Sequence, residues 1–416
     1  MKKPLQLLVL LLCISAINSL RAQLIPIDTS GGRYWEPVFS SVTVTSNVTF
    51  GSATNINNST QVLKMDIYEP AGDTVSMRPV LVLAHGGSFI GGTKTDQDVV
   101  ELCNRFAKKG YVCASIDYRL GIGFPIDSVN ATKAVVRAVQ DMKAAVRFFR
   151  RDFAENGNSY NIHPNYIFCG GSSAGAFTGL HLAYLDQLSE VPSWINISSL
   201  GGLDGNSGNP GYSHRVNGVI NLCGALGDFN WLVPGDVPFV SLHGDNDQTV
   251  PYGTAMIYVL GFPIMVVDGS SSLASRASSI SVQNPLHTWY GQDHAPYYGT
   301  SAPAIAHMDT TESFVKAFLR PLLVVPSSTS VTETETASNL IVYPNPSQGD
   351  FYIEFEDAGQ HSVKAMLIDL SGRTVWQGSF SGNTLHVQAA NLPKGAYFLH
   401  LVSDKGIFYS RKIAIQ

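Results

Sequence analysis

The chain has 416 residues, of which 44% are hydrophobic and 38 are glycine, and its 27 basic and 32 acidic side chains leave a formal net charge of −5. That length accommodates one large domain and a small one, and the apolar content excludes a disordered chain. Mild acidity with dispersed basic residues excludes nucleic acid and anionic membrane surfaces as expected partners.

Lys2 and Lys3 precede an apolar run from Leu5 to Ile14, and the small residue Ala22 stands before Gln23, the layout of a secretory signal peptide over residues 1–22. Cys13 follows Leu12, where a lipoprotein signal needs a small residue, so lipidation is not expected. No later apolar run reaches the ~20 residues of a membrane span, so no transmembrane span is expected, and the mature chain should be soluble and exported. It keeps Cys103, Cys113, Cys169 and Cys223. Export permits disulfides and sequence cannot pair them, but the last three sit in or at the end of apolar strand-like runs, which suit buried free thiols. No metal-ligand spacing is present, and no cofactor is expected.

After the leader, RYWEPVFSSVTVTSNVTFGS alternates valine and threonine as an edge strand does, and QVLKMDIYEP repeats that character. Two antiparallel opening strands follow from this. RPVLVLAHGGSFIGG is a continuous apolar run, a strand buried on both faces, leading into a glycine-rich loop. Strand and helix then alternate: DVVELCNRFAKKG is an amphipathic helix, YVCASIDYRL a buried strand, and AVVRAVQDMKAAVRFFRRDFAEN a long helix expected to carry its arginines and lysines outward. YIFC is the next buried strand, followed by VNGVINLCG, VPFVSLHG and LHTWY, and PAIAHMDTTESFVKAFLRPLL is a closing helix. Strands separated by helical crossovers predict an α/β fold, a mostly parallel sheet of about eight strands with helices on both faces. Residues 186–216, rich in glycine, serine and asparagine, read as a long surface excursion near the site. Only about a dozen residues separate VINLCG from VPFVSLHG, too few for a helical lid, so an open cleft is expected.

PSSTSVTETETAS, residues 326–338, is polar and low in complexity and reads as a linker between a domain over 23–325 and one over 339–416. Beyond it come short alternating strands with turn signals at SQGD, LSGR and PKGA, predicting a small all-β sandwich.

The chemistry is carried by Gly171-Ser172-Ser173-Ala174-Gly175, a G-x-S-x-G between an apolar strand and a helix-compatible run. A serine on a sharp strand-to-helix turn needs neighbours without bulk, and the next helix N-terminus favours negative charge at that point. Acyl transfer by serine further needs a base, an acid to orient it, and donors for the oxyanion. Upstream, HGGSF after the VLVLA strand offers backbone N–H groups of Gly87 and Ser88, with Ala174 as a third donor; His85 reads as a brace for that loop. Downstream, Asp245 and Asp247 both end the VPFVSLHG strand, with Asp247 preferred because the turn after His243-Gly244 returns the later residue across the sheet end. Among the histidines, His243 is too close to the aspartates, His287 lies in a strand and His307 on the last helix, which leaves His294, in the GQDHAPYYG loop, as the base. The order Ser173, Asp247, His294 is that of α/β-hydrolases.

Residues from about 60 to 320 resemble the α/β-hydrolase superfamily, specifically carboxylesterases of the hormone-sensitive-lipase and carboxylesterase type, through HGGSFIGG, SIDYRL, GGSSAG and HGDNDQTVP. Gly-Ser-Ser-Ala-Gly departs from the commoner Asp-Ser-Ala-Gly of those relatives, and Ser88 replaces a third oxyanion-loop glycine. Residues 339–416 resemble a C-terminal sorting domain of the type IX secretion system, through Tyr343-Pro344-Asn345-Pro346, the SQGDF turn, LSGR and Pro393-Lys394-Gly395-Ala396-Tyr397. The resemblances imply a secreted or cell-surface serine ester hydrolase that works through an acyl-enzyme on a small or polymeric ester and meets the secretion machinery through its C-terminal domain. Two alternatives stand beside it: a serine peptidase of the prolyl-oligopeptidase type, and a non-catalytic, surface-displayed binding protein on a hydrolase scaffold.

Overall fold

Alternating valine and threonine make the first two strands an antiparallel pair, β1 (Val42–Thr54) and β2 (Thr60–Pro70). β3 (Arg78–Ala84) is buried at all seven positions, as its unbroken apolar run requires. Then follow α1 (Gln97–Ala107), β4 (Val112–Ile116), α2 (Ser128–Glu155), β5 (Ile162–Ser172), α3 (Ala174–Tyr184), β6 (Val219–Leu222), β7 (Ala225–Leu226), β8 (Phe239–Gly244), β9 (Thr254–Val259), β10 (Phe262–Gly269), α4 (Ser270–Ser279), β11 (Leu286–Trp289) and α5 (Ala302–Leu323). The computed structural model describes residues 27–323, 340–355, 362–369, 374–403 and 408–416. The leader over 1–22, the linker over 326–338 and the LSGR turn lie outside the described residues.

Eight strands form one sheet in the order β1-β2-β4-β3-β5-β6-β8-β11. β1 and β2, and β2 and β4, pair antiparallel, and every later neighbour pairs parallel. Both the strand count and the antiparallel opening match the sequence reading. α1 packs with α5 and α2 with α3, two helical layers for a sheet whose central strands are buried on both sides. In such a sheet the loops at the carboxyl ends of the parallel strands gather on one rim, which is where a site can be assembled from distant parts of the chain.

Two expectations need correction. Not all the basic residues of α2 face outward: Arg151 does, but Arg137, Lys143 and Arg147 are buried at 9%, 1% and 4% exposure. For Lys143 and Arg147 the reason lies in residues 186–216, which fold over this helix and present carbonyls to it. Lys143 Nζ donates to Leu203 O at 2.9 Å, and Arg147 donates to Gly208 O and Asp204 O at 3.1 and 3.0 Å. Arg150 reaches Pro164 O, Ser213 O and Arg215 O. Charge-assisted bonds contribute about 1.5–3 kcal/mol each, enough to hold a glycine-rich segment that has little apolar surface of its own. The second correction concerns the open cleft. β9 and β10 form an antiparallel hairpin that joins β7 in a separate three-stranded sheet, and its inner face walls the site into a pocket. Its turn, Leu260-Gly261, takes φ of 50° and 82°, the two positive values a two-residue hairpin turn needs.

The C-terminal unit is built from β12 (Leu340–Tyr343), β13 (Asp350–Phe355), β14 (Ser362–Ile368), β15 (Thr374–Ser381), β16 (Thr384–Gln388), β17 (Gly395–Ser403) and β18 (Phe408–Ile415). Two sheets, β12-β13-β16 and β15-β14-β17-β18, share one core that includes Phe351, Ile353, Leu367, Leu399 and Ile413. This is the sandwich that the alternation predicts.

Candidate active site

The turn from β5 into α3 places Ser173 at φ 53° and ψ −115°. A non-glycine residue held there costs about 1–2 kcal/mol, and the turn is fastened by Ser173 N–H donating to Leu222 O at 2.8 Å and by Phe177 N–H donating to Ser173 O at 3.0 Å. The flanking glycines are dictated by one atom. A Cβ at Gly171 would lie 2.0 Å from Ala84 O, and one at Gly175 would lie 1.9 Å from the same oxygen. β3 therefore passes so close beneath the turn that neither position tolerates a side chain.

Three strand ends bring the predicted residues together. His294 Nε2 lies 2.9 Å from Ser173 Oγ, and His294 Nδ1 lies 2.6 Å from Asp247 Oδ2. Asp247 Oδ1 accepts from the N–H groups of Thr249 and Val250, both at 2.8 Å. Burial works to raise the Asp247 carboxyl, but hydrogen bonds from His243 and His294 override it and hold the group well below the usual carboxylate range. Asp247 is therefore an anion at any pH where the protein works. Asp245, the competing acid, is exposed and accepts Gly291 N–H at 2.6 Å, a loop-bracing role. Asp293 does likewise, taking Gln248 N–H and His294 N–H.

His243 was set aside in sequence as too close to the aspartates, and the structure gives it a place it was not assigned. It is fully buried, its Nε2 lies 3.0 Å from Asp247 Oδ2 and 3.2 Å from Val250 O, and its Nδ1 lies 2.8 Å from Ser270 Oγ. Two acceptors at Nε2 require the proton there, so Nδ1 accepts from the Ser270 hydroxyl. Asn221 Nδ2 donates to Ser270 Oγ in turn at 3.0 Å. A signal was present: a polar ring inside a fully buried parallel strand must have a partner. Ser172 was missed in the same way. Its hydroxyl lies 2.7 Å from the Tyr297 hydroxyl, tying the His294 loop to the elbow strand.

Upstream, Gly87, Ser88 and Phe89 take φ of 105°, 52° and 61°. A Cβ on Gly86 would stand 3.3 Å from Ser173 Cβ, and one on Gly87 would stand 2.2 Å from Gly91 O. The loop therefore coils against the serine, and Ser88 lines one pocket with Ser173 and Ala174. His85 braces this loop as expected, with its ring stacked on Tyr118 at 4.4 Å and Tyr118 Oη donating to His85 O at 3.0 Å.

The pocket beside Ser173 is walled by Phe89, Phe177, Trp231 and the inner face of the β9–β10 hairpin, including Ile257 and Val267. His181 is the one imidazole in its lining. Burial pulls that imidazole down to about 4, so it is neutral near pH 7. Cys223, Asp247 and His294 offer ligand atoms within 4.8 Å of one another. They make a poor metal set, because burial pushes the Cys223 thiol up to about 12 and Asp247 Oδ2 is already shared by two histidines. All four cysteines are free and buried.

Comparison with known proteins bears on the fold and on the two units of the chain. Residues 65–230 match the BD-FAE family model, an esterase domain, and residues 341–416 match the secretion system C-terminal sorting domain. The sorting domain marks the chain for type IX secretion to the cell surface or beyond. Carboxylesterase 3B of Mus musculus is 33% identical over 114 residues, which are 27% of this chain and 19% of that protein, so the chain spans about a fifth of that relative's length. Two structures of a thermophilic esterase, esterase 2 of the planctomycete Thermogutta terrifontis, one bound to propionate and one phosphoramylated by tabun, superpose with a TM-score of 0.50. Each is 19% identical and covers 69% of this chain and 97% of its own. Together with the strand order, they show the larger unit to have the α/β-hydrolase fold.

Proposed function

We propose that this α/β-hydrolase is an exported serine carboxylic ester hydrolase acting through an acyl-enzyme. Ser173 Oγ attacks the ester carbonyl while His294 Nε2 takes its proton. Asp247 keeps the His294 proton on Nδ1 and balances the imidazolium that forms. The backbone N–H groups of Gly87, Ser88 and Ala174 receive the developing oxyanion, and His294 returns its proton to the departing alkoxide. Water then attacks the acyl-enzyme with the same imidazole as base, releasing the acid and restoring Ser173. The apolar pocket seats the hydrocarbon arm of the ester, and the neutral His181 adds no charge that would oppose it. In this reading residues 1–22 are a removed leader, 23–325 the hydrolase domain, 326–338 a linker and 339–416 the domain that engages the type IX machinery.

The observation that carries the proposal is the pair of contacts at His294, 2.9 Å to the serine and 2.6 Å to the carboxylate, made by residues from three separate strand ends. The test is labelling with a fluorophosphonate and turnover of a nitrophenyl ester series, for the wild type and Ser173→Ala, with folding checked by circular dichroism. Labelling should vanish and turnover fall by about 10⁴-fold or more; ester hydrolysis unchanged in the folded variant overturns the proposal. Matching anilides cleaved at rates comparable to the esters would move the reading to a peptidase.

A further inference from the structure

A second cavity lies on the other side of α2 from the ester pocket, between the β1–β2 turn, the loop after β4 and the excursion over residues 199–206. Arg119, Lys133 and Arg137 line it together with asparagines, among them Asn55 and Asn130, and no carboxylate is in its wall. The charges are unequal. Arg119 is balanced by Asp141, which takes its Nε at 2.9 Å and its Nη2 at 2.8 Å. Asp141 is completely buried and also accepts Arg119 N–H and the Ser207 hydroxyl, so it has no capacity left for a second cation.

Arg137 makes fewer hydrogen bonds than Arg147 and Arg150 on the same helix. Lys143, Arg147 and Arg150 each deliver their protons to excursion or loop carbonyls, but the only hydrogen bond of the Arg137 side chain is from Nη2 to Gly121 O at 2.6 Å. Its Nε is buried without a partner, and among the described residues it forms no ion pair. Burial, and then the neighbouring Arg119 charge, pull its guanidinium below the ordinary value, against an opposing pull from Asp141. Leaving a buried charge without its partner costs about 3–5 kcal/mol, so an anion seated against Arg137 is stabilising. Lys133, half-buried on the same wall, adds a second cation without an ion pair among the described residues. Summing Arg119, Lys133, Arg137 and Asp141 gives a local charge of +2.

We propose that this cavity is a binding site for a small oxyanion group, held by the Arg137 guanidinium and the Lys133 ammonium, with the surrounding asparagine amides for its remaining oxygens. A guanidinium fork matches the planar edge of a carboxylate or two oxygens of a phosphate. Two sources carry that chemistry, free inorganic phosphate and the carboxylate of a uronic acid. The site is independent of the ester pocket and does not depend on the hydrolase reading.

The test is isothermal titration calorimetry of the full-length protein with sodium phosphate and separately with sodium glucuronate at constant ionic strength, with sodium chloride and glucose as controls. At least one oxyanion should bind saturably while chloride and glucose do not, and whichever binds names the source. Arg137→Met should weaken that binding at least tenfold and Lys133→Met several-fold. Lys133 is only half-buried, so its variant keeps the test valid if Arg137→Met folds poorly, and the bound anion should raise Tm in the wild type but not in the variants. Absence of saturable heat from both oxyanions, or binding that survives both substitutions unchanged, overturns the proposal.

Discussion

Asp247→Asn isolates the part of the site that works without touching substrate. The carboxylate accepts four hydrogen bonds, from Thr249 and Val250 N–H at Oδ1 and from His243 and His294 at Oδ2. An asparagine oxygen at Oδ1 keeps the two backbone bonds, which leaves its NH₂ facing both imidazoles. His294 then pairs only by accepting at Nδ1, which moves its own proton to Nε2, toward Ser173. In that tautomer it can donate to the serine but cannot take the serine proton. His243 loses its Asp247 acceptor but can keep its Nε2 proton on Val250 O. The backbone bonds survive, so the variant still folds and its loss of activity falls on kcat: about 10⁴-fold, or about 5.5 kcal/mol of transition-state stabilisation at about 1.4 kcal/mol per factor of ten. The assay is kcat and KM on a soluble nitrophenyl ester beside denaturant unfolding. A loss of less than tenfold in a folded variant would refute the argument that the Asp247 contact fixes the base.

The same carboxylate predicts a pH dependence of stability. Its folded pKa is depressed, so its contribution is fully present above the unfolded carboxylate value, about 3.9, and is lost as pH falls through the lower folded value. The difference in unfolding free energy between the wild type and Asp247→Asn should therefore be constant from pH 7 to about pH 5 and shrink below pH 4 in denaturant titrations; a difference that widens in acid contradicts it. Trp231→Ala removes the wall that meets His181 at 5.6 Å between ring centroids. It should raise the kcat/KM ratio of octanoyl over butyryl nitrophenyl ester by about tenfold, since each methylene newly accommodated contributes about 1–3 kcal/mol; an unchanged ratio places the acyl arm elsewhere.

That Ser173, Asp247 and His294 would meet was legible because each sits where the fold leaves few choices. Ser173 is marked by glycines that only a close strand explains, Asp247 follows the end of a fully buried strand, and His294 stands in the loop between the last strand and the closing helix. What was illegible depends on partners far along the chain. Helical periodicity sends Lys143 and Arg147 to solvent, and only the carbonyls of residues 203–208 bring them in. The hairpin over residues 254–269 escaped for a different reason. It is apolar on both faces, with Ile257 and Val267 toward the pocket and Leu260, Phe262 and Val266 exposed, so it lacks the alternation that marks a half-wet strand. Its Leu-Gly turn also lacks the Asn-Gly signature.

The four thiols have a consequence for how the molecule reaches its destination. A protein carrying an export signal at its C-terminal end meets oxidants on the way, yet Cys103, Cys113, Cys169 and Cys223 are each free and sealed inside the packed interior of the folded chain. Maturation of the hydrolase unit thus draws its order from packing alone. Reducing agents should leave the folded enzyme untouched, and a host lacking disulfide-forming machinery can make it.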